Sequence, residues 1–125
     1  MSTVTLTNDN LEQTVTSNDI VLVDFWATWC GPCRQFGPIF EKASENHPEI
    51  VFGKVDTDAE NQIAQAAQIT SIPTLMAFRD GIAIYRQSGA LPSAALEDVI
   101  QQIKALEMDQ VRAEIAADEA KDAEK

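Results

Sequence analysis

The chain has 125 residues, of which 45% are apolar, and its 20 acidic and 9 basic residues give a formal net charge of -11. This length and apolar content suit one folded domain with its own core and exclude a disordered polypeptide. The acidic excess argues against nucleic acid and anionic membranes as partners, because binding to either depends mainly on Lys and Arg contacting phosphates. We interpret the charge as a source of solubility.

The first ten residues, MSTVTLTNDN, have neither the basic n-region nor the apolar h-region of a signal peptide. No apolar run in the sequence is long enough to cross a bilayer. We therefore expect a cytoplasmic protein with no membrane partner.

Short strands and helices alternate in the first half of the chain. A strand candidate at residues 4–6 precedes a small helix that carries Leu11 and Val15. The nearly continuous apolar run at residues 20–26 is typical of a strand covered on both faces. A helix from about Pro32 to Asn46 should follow it.

Pro38 lies inside that helix and predicts a kink, because a proline in a helix interior costs about 3 kcal/mol. Residues 50–55 form a second buried strand candidate. Asp58 should cap a short helix after it. That helix is expected to turn a small apolar face inward, made of Ile63, Ala66 and Ala67.

Two apolar runs at residues 74–78 and 82–86 flank Asp80-Gly81, a dipeptide that favours a hairpin. Pro92 suits the first turn of a last helix. The apolar stripe of that helix consists of Leu96, Val99, Ile100, Ile103 and Leu106. The order β-α-β-α-β-α-β-β-α predicts an α/β fold whose central mixed sheet has helices on both faces.

The composition changes near residue 107. Residues 107–125 hold seven acidic and three basic residues and much alanine. We therefore predict one domain over residues 1–106. The acidic segment at 107–125 should be a helical or frayed extension rather than a docking element.

Cys30 and Cys33 are the only cysteines in the chain. The short loop between them would stabilise a fold little as a structural disulfide, so we interpret the pair as a two-electron carrier. A zinc site needs four ligands, and His47, which we expect at a helix end, is the only histidine. Covalent haem attachment needs a histidine directly after the second cysteine, and Arg34 stands there, which excludes that motif.

The segment Asp24–Cys33, DFWATWCGPC, closely resembles the active-site segment of the thioredoxin family. Lys54-Val55-Asp56, Ser71–Thr74 and Gly89-Ala90 follow at intervals similar to those of the family, so the resemblance covers about residues 3 to 106. It implies the thioredoxin fold and the reduction of protein disulfides. Two departures are small: Arg34 replaces a frequent lysine, and Ser71 replaces a frequent glycine.

Cys30 stands where a buried strand gives way to a helix, so unpaired N–H groups and the helix dipole should favour its thiolate. We therefore expect Cys30 to be the nucleophile. Cys33, one turn further on, should be more buried and should resolve the mixed disulfide. Gly31 and Pro32 let the ring close and the helix begin.

Asp24 is a charged residue inside an apolar strand. One reading is an aspartate at a strand end that faces water. If it is buried instead, desolvation should raise its pKa and let it exchange a proton near neutral pH. The resemblance implies that Asp24 accepts the proton of Cys33, and it places Lys54 beside that carboxylate. Lys54 alone would suggest a surface lysine.

The resemblance also implies a cis Ile72–Pro73 bond packed against the cysteine pair, with Ile72 offering backbone groups to a bound peptide as in strand addition. We interpret Trp26 as core packing. The expected substrate-binding rim consists of Trp29, Gly31, Pro32, Ile72, Pro73, Gly89 and Ala90.

The resemblance implies a thioredoxin reductase and disulfide-containing proteins as partners. NADPH would be used only indirectly, through that reductase. The chain has no Gly-rich nucleotide motif, so we expect no bound cofactor. We also expect no metal, for lack of ligands, and a monomer. Two alternatives stay open: a disulfide oxidase or isomerase on the same fold, and a binding module that works without redox chemistry.

Overall fold

A five-stranded sheet forms the centre of the computed structural model, which describes residues 2–123. The strand order is β1-β3-β2-β4-β5. The strands are β1 (Thr3–Thr5), β2 (Ile20–Trp26), β3 (Val51–Asp56), β4 (Thr74–Arg79) and β5 (Ile82–Ser88). The helices are α1 (Leu11–Ser17), α2 (Gly31–Asn46), α3 (Asn61–Ala66), α4 (Ser93–Lys104) and α5 (Met108–Ala123).

The sheet is mixed, as the order of elements predicts. β3 runs parallel to both β1 and β2, whereas β4 is antiparallel to β2 and to β5. Asp80 and Gly81 join β4 to β5 with φ of 52° and 80°, the pair of positive values that a tight hairpin turn requires.

Side chains of β2 alternate between two apolar cores, because successive residues of a strand point to opposite faces. Leu22 belongs to the core under α2 and α4, with Phe36, Phe40 and Ile100. The other core, under α1 and α3, includes Val21, Val23, Phe25, Val15 and Ile63. Helices on both faces are therefore confirmed, and the same alternation points Asp24 and Trp26 toward α2.

Several local predictions are wrong. Pro92 is the N-cap residue of α4 and not part of its first turn, and Leu106 lies beyond the end of that helix. Glu60, not Asp58, holds the N-cap position of α3, because α3 begins only at Asn61 and Asp58 lies in the preceding turn. Ala66 is exposed, so the inward side of α3 rests on Ile63 with partly buried Ala67. Pro38 does lie inside α2, as predicted.

Arg79 joins the end of β4 to the end of α4. Its Nη1 donates to the carbonyl oxygens of Ile103, Lys104 and Leu106 at 2.7, 3.2 and 2.8 Å. Ile103 and Lys104 are in the last turn of α4 and Leu106 follows it, so the guanidinium lies at a helix C-terminus, where positive charge is favourable. α5 then begins at buried Met108 and is otherwise largely exposed. Within residues 2–123, no helix is long and apolar enough to span a membrane.

Candidate active site

The cysteine pair lies where β2 passes into α2. Cys30 is the N-cap residue of α2, with φ -88° and ψ 116°, and Pro32 stands in the first turn. Pro32 costs no helical hydrogen bond there, because the first N–H groups of a helix have no partner within it. The sequence thus places one sulfur directly at the positive end of a 16-residue helix.

Cys30 and Cys33 are joined by a disulfide, with their Cα atoms 5.2 Å apart. The backbone N–H of Cys33 donates to Sγ of Cys30 at 3.2 Å, and Sγ of Cys30 lies 3.6 Å from the carbonyl oxygen of Ile72. A donor aimed at sulfur stabilises a thiolate more than a thiol. The expected difference in burial is not seen, because the two residues are 4% and 5% exposed.

Asp24 is fully buried, with 0% exposure, and neither carboxylate oxygen has a hydrogen-bond partner. This burial excludes the alternative in which Asp24 faces water. Desolvation raises the pKa of Asp24 from 3.8 to about 7, although the positive charge of Lys54 opposes the rise. The carboxyl group can therefore take up or release a proton near neutral pH.

Lys54 stands opposite Asp24 in the parallel register of β3 and β2. Its ammonium lies 5.1 Å from the centroid of the Trp26 ring, a cation–π contact. Among the ion pairs of residues 2–123, none joins Lys54 to Asp24 within 4.0 Å. The lysine lowers the energy of the charged carboxylate from a distance and does not neutralise it by contact.

A cavity of about 510 Å³ opens on the α2 side of the sheet and reaches Cys33. Trp26 and Lys54 line it from the sheet. The remaining lining residues are Ala27, Thr28, Cys33, Arg34, Gly37, Pro38 and Glu41. Trp26 packs against the buried cluster of Ala27, Cys30 and Cys33, and its indole N–H is buried without a hydrogen-bond partner.

Another concavity, about 330 Å³ in volume, is lined by Trp29 and Ile72, together with Thr57, Ile69, Thr70 and Ser71. Trp29 is 66% exposed, and its indole N–H donates to Asp58 at 3.0 Å. The Ile72–Pro73 bond is cis, and Ile72 packs against the cysteine pair. An exposed aromatic ring beside a reactive disulfide suits contact with an apolar peptide.

Comparison with known proteins settles the family. The family model described as Thioredoxin matches residues 2–102. The chain belongs to the thioredoxin family.

A protein of Streptomyces coelicolor named "Putative thioredoxin 2" is 59% identical over 119 residues, which cover 95% of this chain and 89% of that protein. The thioredoxin of Coprinus comatus is 45% identical over 96 residues, covering 75% of this chain and 90% of that protein. Together with the disulfide, this likeness identifies the chain as a dithiol–disulfide oxidoreductase with protein-disulfide reductase activity.

Solved structures agree with the assignment. The thioredoxin of Malassezia sympodialis superposes with a TM-score of 0.75 at 37% identity, covering 84% of this chain and 96% of that one. A mutant thioredoxin of Halobacterium salinarum gives 0.77 at 31% identity, covering 84% and 92%. The thioredoxin fold predicted from the sequence is thus confirmed.

The structure brings most of the predicted site residues of this thioredoxin into one region. Gly31 and Pro32 are exposed on the first turn of α2. The N–H of Gly89 donates to the carbonyl of buried Pro73 at 2.8 Å, which attaches the end of β5 to the site. Ala90 differs, because it packs against the core beneath α2 and α4.

Two residues that contribute to the site of this thioredoxin were not recognised from the sequence. Asp58, interpreted as a helix cap, instead holds the Trp29 indole. Glu41 lines the cavity beside Cys33 although it looks like an ordinary surface residue of α2. The Trp29–Asp58 contact joins residues 29 apart, which no spacing rule reveals. Glu41 had a usable signal, because it stands eight residues after Cys33 and so shares a face of α2 with it. No group of three or more His, Cys, Asp or Glu side chains within residues 2–123 could hold a metal.

Proposed function

We propose that this chain reduces protein disulfides with Cys30 as the attacking thiolate and Cys33 as the resolving thiol. The observation that carries the proposal is the N–H of Cys33 donating to Sγ of Cys30 at the N-terminus of α2. That arrangement favours negative charge on Cys30 and on no other sulfur of the chain.

The cycle transfers two electrons. The Cys30 thiolate attacks one sulfur of the substrate disulfide, a mixed disulfide forms, and the first substrate thiolate leaves. Cys33 then loses its proton and attacks Sγ of Cys30, which releases the second substrate thiolate. The substrate gains two electrons from the dithiol, its two released thiolates take up protons from the solvent, and the Cys30–Cys33 disulfide is the oxidised product.

Asp24 is proposed to accept the proton of Cys33 during the second step and to return it when the disulfide is reduced again. Support comes from its burial without hydrogen-bond partners and its pKa of about 7. Lys54 is proposed to adjust the proton affinity of Asp24 through its charge. A base with a pKa near the working pH transfers protons efficiently in both directions.

The substrate is proposed to lie across Trp29, Gly31, Pro32, Ile72 and Pro73, with the end of β5 at the border. The exposed ring of Trp29 and the position of Ile72 beside Sγ of Cys30 support this placement. Recognition through backbone groups and a flat apolar surface would accept many protein disulfides.

We also propose that a thioredoxin reductase, itself using NADPH, recharges the disulfide, and that the chain works as a cytoplasmic monomer. A C-x-x-C pair that acts as a reductant suits a reducing compartment. Residues 1–106 would form the redox domain and residues 107–125 an appended segment. The matched family model ends at residue 102, and every proposed site residue precedes α4.

The roles of the cysteines can be tested with Cys33→Ser, which removes the resolving thiol. Incubation with a disulfide-bonded protein should trap a mixed disulfide on Cys30, detectable by mass spectrometry. The matched Cys30→Ser variant should trap none. Adducts on Cys33 in that variant would contradict the assignment.

The two alternatives are separated by other measurements. The reduction potential of the Cys30–Cys33 pair distinguishes a reductase from an oxidase or isomerase, because an oxidase has the less negative potential. A binding module would keep its activity in the Cys30→Ser variant.

A further inference from the structure

Lys54 has two carboxylates near its ammonium but is in salt-bridge contact with neither. Asp24 stands opposite it in the register of β2 and β3, and Glu41 lines the same cavity from α2. No ion pair within 4.0 Å joins Lys54 to either carboxylate among residues 2–123. The ammonium is thus kept apart from the buried carboxylate of Asp24.

The ammonium of Lys54 extends toward α2. It lies over the ring of Trp26, and a Cβ atom added to Gly37 would be 3.8 Å from Nζ. Gly37 and Glu41 are four residues apart on α2, so they share one face of the helix. The ammonium of Lys54 therefore lies beside the face of α2 that carries Glu41.

Glu41 is held in place by the start of the chain. Its Oε1 accepts the backbone N–H of Ser2 at 2.9 Å, and its Oε2 accepts the hydroxyl of Thr3 at 2.6 Å. The Thr3 hydrogen bond, supported by the Ser2 N–H and the charge of Lys54, lowers the pKa of Glu41. Glu41 is thus a fixed negative charge at the mouth of the cavity at neutral pH.

The other charged and titratable groups around the cavity have partners of their own. Arg34 donates from Nε and Nη2 to the carbonyl of Thr28, at 3.3 and 3.0 Å. Asp56, next after Lys54 on its face of β3, accepts the backbone N–H groups of Asp58 and Ala59. Cys33 is bound in the disulfide. Glu41 is therefore the charge best placed to compete with Asp24 for Lys54.

We propose that Glu41 is a positioning residue, which draws the Lys54 ammonium toward α2 and so leaves Asp24 without a contacting cation. The hydrogen bonds from Ser2 and Thr3 hold Glu41 there, so docking of β1 sets the charge balance around the resolving cysteine. This inference rests on the proposed role of Asp24 in the proton step and adds a residue that acts on it through Lys54.

The decisive variant is Glu41→Gln, which keeps a side-chain acceptor for β1 but removes the charge. Lys54 should then move toward Asp24, and a nearby cation favours the ionised carboxylate. We expect the titration midpoint of Asp24 to fall by about half a pH unit or more, as for a unit charge at intermediate range in protein. The midpoint is read from the carboxyl ¹³C shift of Asp24 in the oxidised protein.

Two further variants make the result specific. Glu45→Gln removes the same charge one turn further along α2, on a residue outside the cavity lining, and should leave the Asp24 midpoint unchanged. In a Lys54→Met background, Glu41→Gln should shift the midpoint by less than half as much, because the intermediary is gone.

An unchanged midpoint in Glu41→Gln would overturn the proposal. An equal shift with and without Lys54 would overturn it too, because Glu41 would then act on Asp24 directly. The titration does not depend on turnover, so these outcomes are distinguishable from a failure of Asp24 to transfer the proton of Cys33. That failure would leave disulfide exchange unaffected by Asp24→Asn even where the midpoint shifts.

Discussion

Replacement of Asp24 by asparagine should stabilise the protein, and the gain should grow with pH. The folded state raises the pKa of Asp24 from 3.8 to about 7, so it holds this proton more tightly than the unfolded chain does. Well below pH 3.8 both states are protonated at Asp24. As the pH rises toward 7, only the unfolded chain releases the proton, and the wild-type protein loses stability.

The magnitude follows from the size of the shift. Roughly three pH units at 1.36 kcal/mol each make the buried carboxylate cost about 4 kcal/mol once it is ionised in both states. Between about pH 4.5 and 8.5, the advantage of Asp24→Asn should therefore increase by about 3 kcal/mol. The variant has no titrating group at this position, so its own stability would not show this dependence on pH.

The assay is guanidinium unfolding of the oxidised protein at fixed pH intervals, followed by tryptophan fluorescence. The disulfide keeps Cys30 and Cys33 from titrating over this range. Asp9→Asn is the matched control, because Asp9 is exposed and its replacement removes the same charge. A difference between wild type and Asp24→Asn that stays flat with pH would refute the reasoning.

Three further outcomes are expected. Asp24→Asn should slow disulfide exchange near neutral pH, as measured by stopped flow. Exchange rates equal to those of the wild type between about pH 6 and 9 would show that Asp24 does not take part in the proton transfer. Arg79→Met should lower the free energy of unfolding by about 2 kcal/mol, because three carbonyls at the end of α4 lose a charged donor; equal denaturation midpoints would contradict this. Gly53→Ala should lower the free energy of unfolding by about 1–3 kcal/mol through overpacking, since the added Cβ would overlap the Leu6 side chain. An unchanged denaturation midpoint would show that Leu6 moves aside freely.

The order of the elements could be predicted from local patterns, because each pattern has a local cause. The apolar run of β2 reflects burial on both faces, and Asp80-Gly81 reflects a turn with two positive φ values. The cysteine pair could likewise be placed at a helix start, because the apolar run before it and Pro32 within it are local signals.

The features of the site that could not be predicted depend on contacts between residues that are distant in the sequence. Asp58 is a residue type that often caps helices, but its side chain accepts the indole N–H of Trp29, 29 residues away. The equal burial of the two cysteines comes from Ala27, Trp26 and Ile72 packing around both, which spacing alone does not reveal. Glu41 is fixed beside the site by Ser2 and Thr3, because the start of β1 lies next to α2.

The path of β4 has a practical consequence for the use of this protein. Thr74, at one end of the strand, follows Pro73 of the redox site, and Arg79, at the other, binds the end of α4 just before α5 begins. Six strand residues separate these ends by about 17 Å. A label or surface tether attached at the exposed residues that open α5, such as Gln110, would thus be anchored at the end of β4 away from the disulfide. Immobilisation on an electrode through such a label should leave the exposed ring of Trp29 facing the solution.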